Sequence, residues 1–102
     1  MTDKNILKIT RQFAKGIIGN NKPDMMCFAI TFPLQSYLSL CGLNTQLIEG
    51  KIHFEKVICN HYWLKLSDNR ILDPTASQFN KPDGTKMPTI YLGEKPEWYQ
   101  LI

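Results

Sequence analysis

The sequence predicts an α+β fold, and two observations carry that prediction. Segments with helical periodicity occupy the first part of the chain, and short segments with strand character follow from residue 45 onward. Helices followed by strands are typical of α+β domains. The 102 residues suffice for one core and are too few for two, so we expect a single domain over residues 1–102.

The first predicted helix covers residues 5–18. Its apolar side chains fall on one helical stripe, with lysines on the other side, and the stripe consists of Ile6, Ile9, Phe13 and Ile17. We expect this helix to end near Gly19 and to cover the core.

The second predicted helix runs from Met25 to Cys41. Asp24 is the expected N-cap, and Gly42 stands where a left-handed residue commonly ends a helix. Pro33 lies inside the span and removes a backbone donor, so the helix either kinks or splits, and we favour one kinked helix. The apolar stripe of this helix consists of Leu34, Tyr37, Leu38 and Cys41.

Strand character appears in four segments, which are residues 45–52, 57–66, 70–73 and 89–93. Between the last two segments, residues 80–88 have the composition of a surface loop. The tail, residues 94–102, carries aromatic side chains that we expect to pack back on the domain.

The composition argues against several classes of protein. Apolar residues at 43% and charged residues at 21% are ordinary for a globular chain. The net charge of +3 comes from scattered basic residues, which does not favour nucleic-acid binding. The longest apolar stretch, residues 25–32, is far short of a bilayer span, so we expect a cytoplasmic protein without a membrane segment. Three cysteines without regular spacing indicate free thiols.

Residues 60–79 read NHYWLKLSDNRILDPTASQF, and the turn within them decides whether His61 and Asp73 meet. A two-residue turn would place Asp73 opposite Leu64, on the face away from His61. A three-residue turn with a left-handed Asn69 would instead place Asp73 on the histidine's own face, diagonal to it. We expect the three-residue turn and a contact between the two side chains.

A His-Asp pair is chemically useful when a nucleophile lies beside it, because the carboxylate fixes the imidazole tautomer and stabilises the imidazolium. Cys27 is the strongest candidate, since the first turn of a helix lowers the pKa of a thiol. Its amide could also face a developing oxyanion. Cys41 and Cys59 lack that position, although Cys59 falls on the same strand face as His61.

A cysteine that opens a helix, a strand beginning His-Tyr-Trp and a strand ending Asp-Pro-Thr resemble the transglutaminase-like and papain-like cysteine enzymes, in their small bacterial or phage-type domains. The resemblance covers about residues 24–79 and implies a minimal core of helix packed on an antiparallel sheet. It implies Cys27 as nucleophile, His61 as general base and acid, and Asp73 as orienting carboxylate. It also implies no metal and no organic cofactor.

Two positions depart from the family pattern. Papain-like enzymes usually place a glutamine upstream of the cysteine in the oxyanion hole, and here Asn21 is the candidate for that role. Phe28 follows the cysteine, where many members have a small residue or tryptophan. Trp63 is expected to wall the site or to pack below it, and we expect Gln78 and Phe79 to be structural residues of the loop after Asp73.

These residues predict acyl transfer on the amide bond of a peptide or protein substrate, with transfer to water favoured over transfer to an amine. The sequence does not decide between a peptidase, an amidase and a deamidase. The main alternative is a catalytically inactive papain-like domain that binds a protein partner, and a third is one domain of a larger assembly. Zinc binding through Cys59 and His61 is disfavoured because paired C-x-x-C spacing is absent. The sequence does not specify an oligomeric state.

Overall fold

The computed structural model describes residues 1–18, 27–54, 57–78, 81 and 84–101. Its elements in chain order are α1 (Asp3–Ile18), α2 (Cys27–Leu40), β1 (Thr45–Phe54), β2 (Val57–Leu66), β3 (Ile71–Asp73), a 3₁₀ turn (Ala76–Gln78), β4 (Tyr91–Gly93) and β5 (Tyr99–Leu101). Within the described chain the strands form one sheet in the order β4-β3-β2-β1-β5, and every neighbouring pair is antiparallel. The predicted α+β class is confirmed.

Thr2 caps the start of helix α1, because its Oγ1 accepts a hydrogen bond from the amide of Asn5 at 3.2 Å. Helix α1 continues to Ile18, the last residue described before the gap, and the predicted end near Gly19 lies outside the described residues. The prediction for Ile17 was wrong, because this side chain is 38% exposed. In an ideal helix Ile17 lies only about 20° around the axis from Ile6, which is buried. Its exposure therefore means that the last turn of α1 extends past the surface that the helix covers.

Helix α2 is continuous across Pro33, so the prediction of one helix rather than two is confirmed. Gly42 has the expected left-handed conformation, with a φ of 94°. The predicted stripe is only half right, because Leu34 and Leu38 are fully buried whereas Tyr37 and Cys41 are exposed. Cys41 lies beyond the last helical residue. The ring of Tyr37 packs against the ring of Phe13 in α1, with the two ring centroids 5.4 Å apart. Asp24 lies outside the described residues.

Apolar clusters cover both faces of the sheet. One cluster joins the helices to β2 and β3, and its buried members include Ile6, Leu34, Leu38, Leu64 and Leu72. The other cluster joins the opposite face to the C-terminal part of the chain through Trp63, Ile71, Met87 and Tyr99. The expectation that the aromatic tail packs back on the domain is thus confirmed. Met87 is buried, so the prediction of a surface loop was wrong at that position.

The strand boundaries differ from the predicted ones mainly at the end of the chain. Strand β2 matches residues 57–66, β1 extends two residues past the predicted segment, and β3 and β4 are shorter than predicted. Strand β5, which pairs with β1 between Gly50 and Ile52, was not predicted. Gly50 is required there, because a Cβ at this position would lie 2.1 Å from the indole ring of Trp63 and 2.4 Å from the carbonyl oxygen of Gln100. The close approach lets the tail lie over Trp63.

Candidate active site

The hairpin between β2 and β3 has the predicted three-residue turn. Leu64 pairs with Leu72, and the amide of Leu66 donates to the carbonyl of Arg70 at 2.8 Å. Asn69 is left-handed, with a φ of 71°. Because side chains alternate along each strand, this register brings Asp73 to the same face as His61. The local sequence of the turn therefore positions both side chains.

His61 and Asp73 are in direct contact. The imidazole Nε2 lies 2.7 Å from Oδ2 of Asp73, and both side chains are fully buried. Since a carboxylate accepts hydrogen bonds, Nε2 carries a hydrogen and Nδ1 is the nitrogen that faces away from Asp73. The pair thus fixes the tautomer and the orientation of the ring.

Further donors hold the Asp73 carboxylate. Oδ1 accepts hydrogen bonds from the amide of Thr75 at 3.0 Å and from its hydroxyl at 3.3 Å. Oδ2, the oxygen in contact with His61, also accepts a hydrogen bond from the Tyr99 hydroxyl at 2.6 Å. Both oxygens of this buried carboxylate are therefore satisfied, and the group has little freedom to rotate away from the imidazole.

Cys27 is the first described residue of α2 and is half-buried beside His61. The imidazole of His61 lowers the pKa of the Cys27 thiol by hydrogen bonding and by charge, and since Asp73 occupies Nε2, Nδ1 is the ring nitrogen left to face the thiol. The backbone amides of Tyr62 and Phe28 also lower the pKa of this thiol. The structure thus brings Cys27, His61 and Asp73 together in one site.

The electrostatics of this site favour charge separation. Burial alone would raise the pKa of Cys27, but the hydrogen bond and charge of His61, together with the two backbone amides, outweigh it and lower that pKa. Burial would lower the pKa of His61, whereas the hydrogen bonds that its imidazole makes to Asp73 and Cys27, together with their charges, raise it to about 9. At neutral pH these shifts favour a thiolate next to an imidazolium.

Gln78 lies closer to the site than the sequence indicated. Its Nε2 is 3.4 Å from Nδ1 of His61 and donates to Oγ1 of Thr75 at 2.9 Å. The hydroxyl of Thr75 donates its hydrogen to Asp73, so the hydroxyl oxygen can only accept a hydrogen bond from Gln78. The side-chain amide of Gln78 therefore directs its NH₂ group toward Thr75 and the neighbouring imidazole. The 3₁₀ turn after β3 folds the glutamine back toward the histidine.

Trp63 packs below the site. Its indole is 1% exposed, with its centroid 6.2 Å from the imidazole of His61 and 5.2 Å from the ring of Tyr99. Of the two predicted positions, the structure shows the second. An indole that is almost fully buried supports the imidazole from the core side and leaves other residues to form the open side of the site.

Tyr99 is the residue of this site that the sequence did not reveal. The aromatic composition of the tail predicted that it would pack on the domain, but it did not indicate that a phenol would reach Asp73. Asn21, the oxyanion candidate, and Phe79 lie outside the described residues. Cys41 is exposed beyond the end of α2, and Cys59 is half-buried on β2 opposite Ile52.

Comparisons with models of protein families, with curated proteins and with solved structures found no match to this chain. In the described ranges, no three His, Cys, Asp or Glu side chains are grouped so that they could hold a metal ion. Neither described helix has the length and apolar character needed to cross a membrane.

Proposed function

We propose that the protein is a cysteine-dependent amide hydrolase or acyl transferase in which Cys27, His61 and Asp73 form the catalytic triad. One observation carries the proposal: the buried Asp73 carboxylate lies 2.7 Å from the imidazole of His61, and that imidazole in turn lowers the pKa of the neighbouring Cys27 thiol. The arrangement supports the resemblance to papain-like and transglutaminase-like enzymes, and we assign the fold to that superfamily as part of this proposal.

The proposed reaction begins when the Cys27 thiolate attacks the carbonyl carbon of an amide, forming a C–S bond and a tetrahedral oxyanion. His61 then gives its Nδ1 proton to the departing nitrogen, the C–N bond breaks, and a thioester remains. The now neutral imidazole takes a proton from water, whose oxygen attacks the thioester and releases the acid and Cys27. An acceptor amine in place of water would give transamidation.

The other residues have supporting roles in this mechanism. Asp73 stabilises the imidazolium and keeps Nδ1 directed at the sulfur, because its contact with Nε2 fixes the ring. Amides in the first turn of α2, including that of Cys27, are suited to the oxyanion, because the first amides of a helix have no intrahelical acceptor. Asn21 remains the proposed side-chain donor. The mechanism needs no metal or organic cofactor, and the proposed partner is a peptide or protein substrate.

The decisive experiment is competitive alkylation of the three thiols. The native protein is treated with limiting iodoacetamide at roughly pH 5 to 9, and the label is mapped by peptide mass spectrometry, beside His61→Ala. We expect Cys27 to react fastest and to stay reactive on the acid side, and we expect the variant to lose this advantage. Cys41, which is exposed, is the reference thiol within the same chain.

The contrary result is equally clear. If Cys27 reacts no faster than Cys41 and shows the pH dependence of an ordinary thiol, the triad is not active. The protein would then be better explained as a papain-like domain that binds a protein partner without catalysis.

A further inference from the structure

An aromatic surface lies beside the Cys27 sulfur. It consists of Phe28 and Phe32 on α2 and Tyr62 on β2. The two phenylalanine rings stack with centroids 5.3 Å apart, and the ring of Phe28 meets that of Tyr62 edge-on at 4.9 Å. Phe28 is 48% exposed and Phe32 is 51% exposed. Two adjacent aromatic rings that are half open to solvent provide a preformed apolar contact surface.

This surface is separate from the part of α2 that stabilises the fold. The helix is anchored in the core by Ile30, Leu34 and Leu38, which are fully buried. Phe28 and Phe32 stand four residues apart, so they form a single row on another side of the helix. Their exposure is therefore not explained by the packing of α2 on the sheet.

The aromatic surface is continuous with the proposed nucleophile. Phe28 directly follows Cys27 in the chain, and the backbone amides of Phe28 and Tyr62, which supply two of the three rings, both lower the pKa of the Cys27 thiol. The pKa of Tyr62 is raised mainly by the hydrogen bond from its hydroxyl to Glu49 and additionally by the charge of Cys27. Glu49 pairs directly with Tyr62 across β1 and β2, which holds the phenol in place.

We propose that Phe28, Phe32 and Tyr62 form a substrate subsite that accepts a large apolar side chain, preferentially an aromatic one, next to the scissile amide. The proposal rests on the proposed function of Cys27, and it adds the substrate class. A group bound on these rings lies close to the Cys27 sulfur, because Phe28 follows Cys27 directly in α2 and Tyr62 follows His61 directly in β2. A permanent partner on the same rings would cover the thiol, so a substrate side chain is the occupant that an active Cys27 allows.

The test uses two electrophiles that differ only in the group placed on the rings, N-benzyl chloroacetamide and N-methyl chloroacetamide. Peptide mass spectrometry gives the alkylation rate at Cys27 for each reagent, and the rates at exposed Cys41 correct for intrinsic reactivity. We expect the corrected benzyl-to-methyl ratio at Cys27 to be about ten or more, because the benzyl ring is buried against Phe28 and Phe32.

A pair of variants on α2 locates the effect. Phe32→Ala should remove most of the corrected benzyl-to-methyl preference at Cys27, because it removes one of the two exposed rings that the benzyl group covers. Leu40→Ala is the matched control, since Leu40 is 87% exposed at the opposite end of the same helix, and it should keep the full ratio. Both residues are exposed, so the fold should survive, which circular dichroism verifies.

The outcomes separate this proposal from the one it rests on. If Cys27 is selectively reactive toward iodoacetamide but the corrected benzyl-to-methyl ratio is near one, or persists in Phe32→Ala, the subsite is disproved and the triad stands. If Cys27 shows no selective, His61-dependent reactivity with any reagent, the proposed function fails first, and the subsite fails with it.

Discussion

The β2–β3 hairpin carries ionic contacts of equal length near both of its ends, two at the turn and one at the other end. At the turn, the Arg70 guanidinium lies 2.7 Å from Asp3 and 2.7 Å from Asp68. At the other end, His61 lies 2.7 Å from Asp73. The turn contacts are open to solvent, with Arg70 29% exposed and its partners more than half exposed, whereas the pair at the other end is fully buried. Contacts of equal length therefore differ in how much they contribute to the stability of the protein.

The difference follows from the surrounding medium. Water screens the exposed contacts of Arg70 and competes for the same hydrogen bonds, so water molecules readily replace a partner that is removed. No such replacement exists for His61 and Asp73, because removing one buried partner leaves the other charge or hydrogen-bonding group unpaired. The comparison teaches that the polar groups most sensitive to substitution should be those of the proposed triad and the residues that hold it.

Asp73→Asn should have the largest effect. The substitution keeps the shape of the side chain but removes the charge that raises the pKa of His61, so the imidazolium and the Cys27 thiolate both lose stabilisation. Because each pKa unit changes the thiolate fraction about tenfold on the acid side, we expect Cys27 alkylation near pH 6 to slow by about tenfold or more relative to Cys41. We also expect a loss of ~3 kcal/mol in the free energy of unfolding, measured with urea. A folded variant with the original alkylation ratio would contradict the role given to Asp73.

Tyr99→Phe should have the next largest effect. It removes the hydroxyl that donates to Asp73 at 2.6 Å in a buried position. Since hydrogen bonds to charged groups are stronger than neutral ones, we expect a loss of ~2 kcal/mol in the free energy of unfolding. Tyr91→Phe is the matched control, because its hydroxyl also donates at 2.6 Å, but to an exposed backbone carbonyl. Equal losses in the two variants would disprove the distinction between buried and exposed contacts.

The pH dependence of stability should reveal the coupling between Cys27 and His61. The pKa of His61 is raised from 6.5 to about 9 in the folded protein, so its contribution is complete below pH 6.5 and is lost as the pH rises toward 9. The pKa of Cys27 is lowered from 9.0, so its contribution is complete above pH 9.0 and is lost as the pH falls through the folded pKa. The two slopes oppose each other in the part of this range that lies between the folded pKa of Cys27 and pH 9.0.

Cys27→Ser separates these two slopes. Without the thiol only the His61 term remains, and Asp73 still raises the pKa of the imidazole. We therefore expect the free energy of unfolding of the variant to fall more steeply between pH 6.5 and 9 than that of the unchanged protein. Urea denaturation at several pH values measures both slopes, with Cys41→Ser as the control for losing a thiol. Parallel curves for Cys27→Ser and the unchanged protein would show that the Cys27 thiol has the same pKa in the folded and unfolded states, which would contradict its coupling to His61.

The contacts that local sequence determines are the ones that could be predicted. A left-handed Asn69 and the alternation of side chains along two neighbouring strands fix the hairpin register, and the register brings His61 to Asp73. The placement of Cys27 at the start of a helix is likewise a local property of the sequence. These features need no information about how distant segments pack.

The contacts that depend on distant segments were missed. Tyr99 reaches Asp73 from 26 residues further along the chain, through a three-residue edge strand too short to show a period in the sequence. Helical periodicity similarly places Ile17 on the correct side of α1 but does not tell where the covered surface ends. Such features follow from the dimensions of the assembled core, which a pattern along one segment does not contain.

Arg70→Ala should have the smallest effect and completes the comparison within the hairpin. It removes the hydrogen bonds to Asp3 at 2.7 and 2.9 Å and the bond from Nε to Asp68 at 2.7 Å, yet all of these groups face water. We expect the urea midpoint to change less than in Tyr99→Phe, and we expect about 1 M salt to remove the remaining difference, because ions screen exposed pairs. The Cys27 to Cys41 alkylation ratio should stay unchanged. A loss of stability equal to that of Tyr99→Phe, or one that salt does not reduce, would mean that the link between α1 and the turn stabilises the fold as strongly as the buried network does.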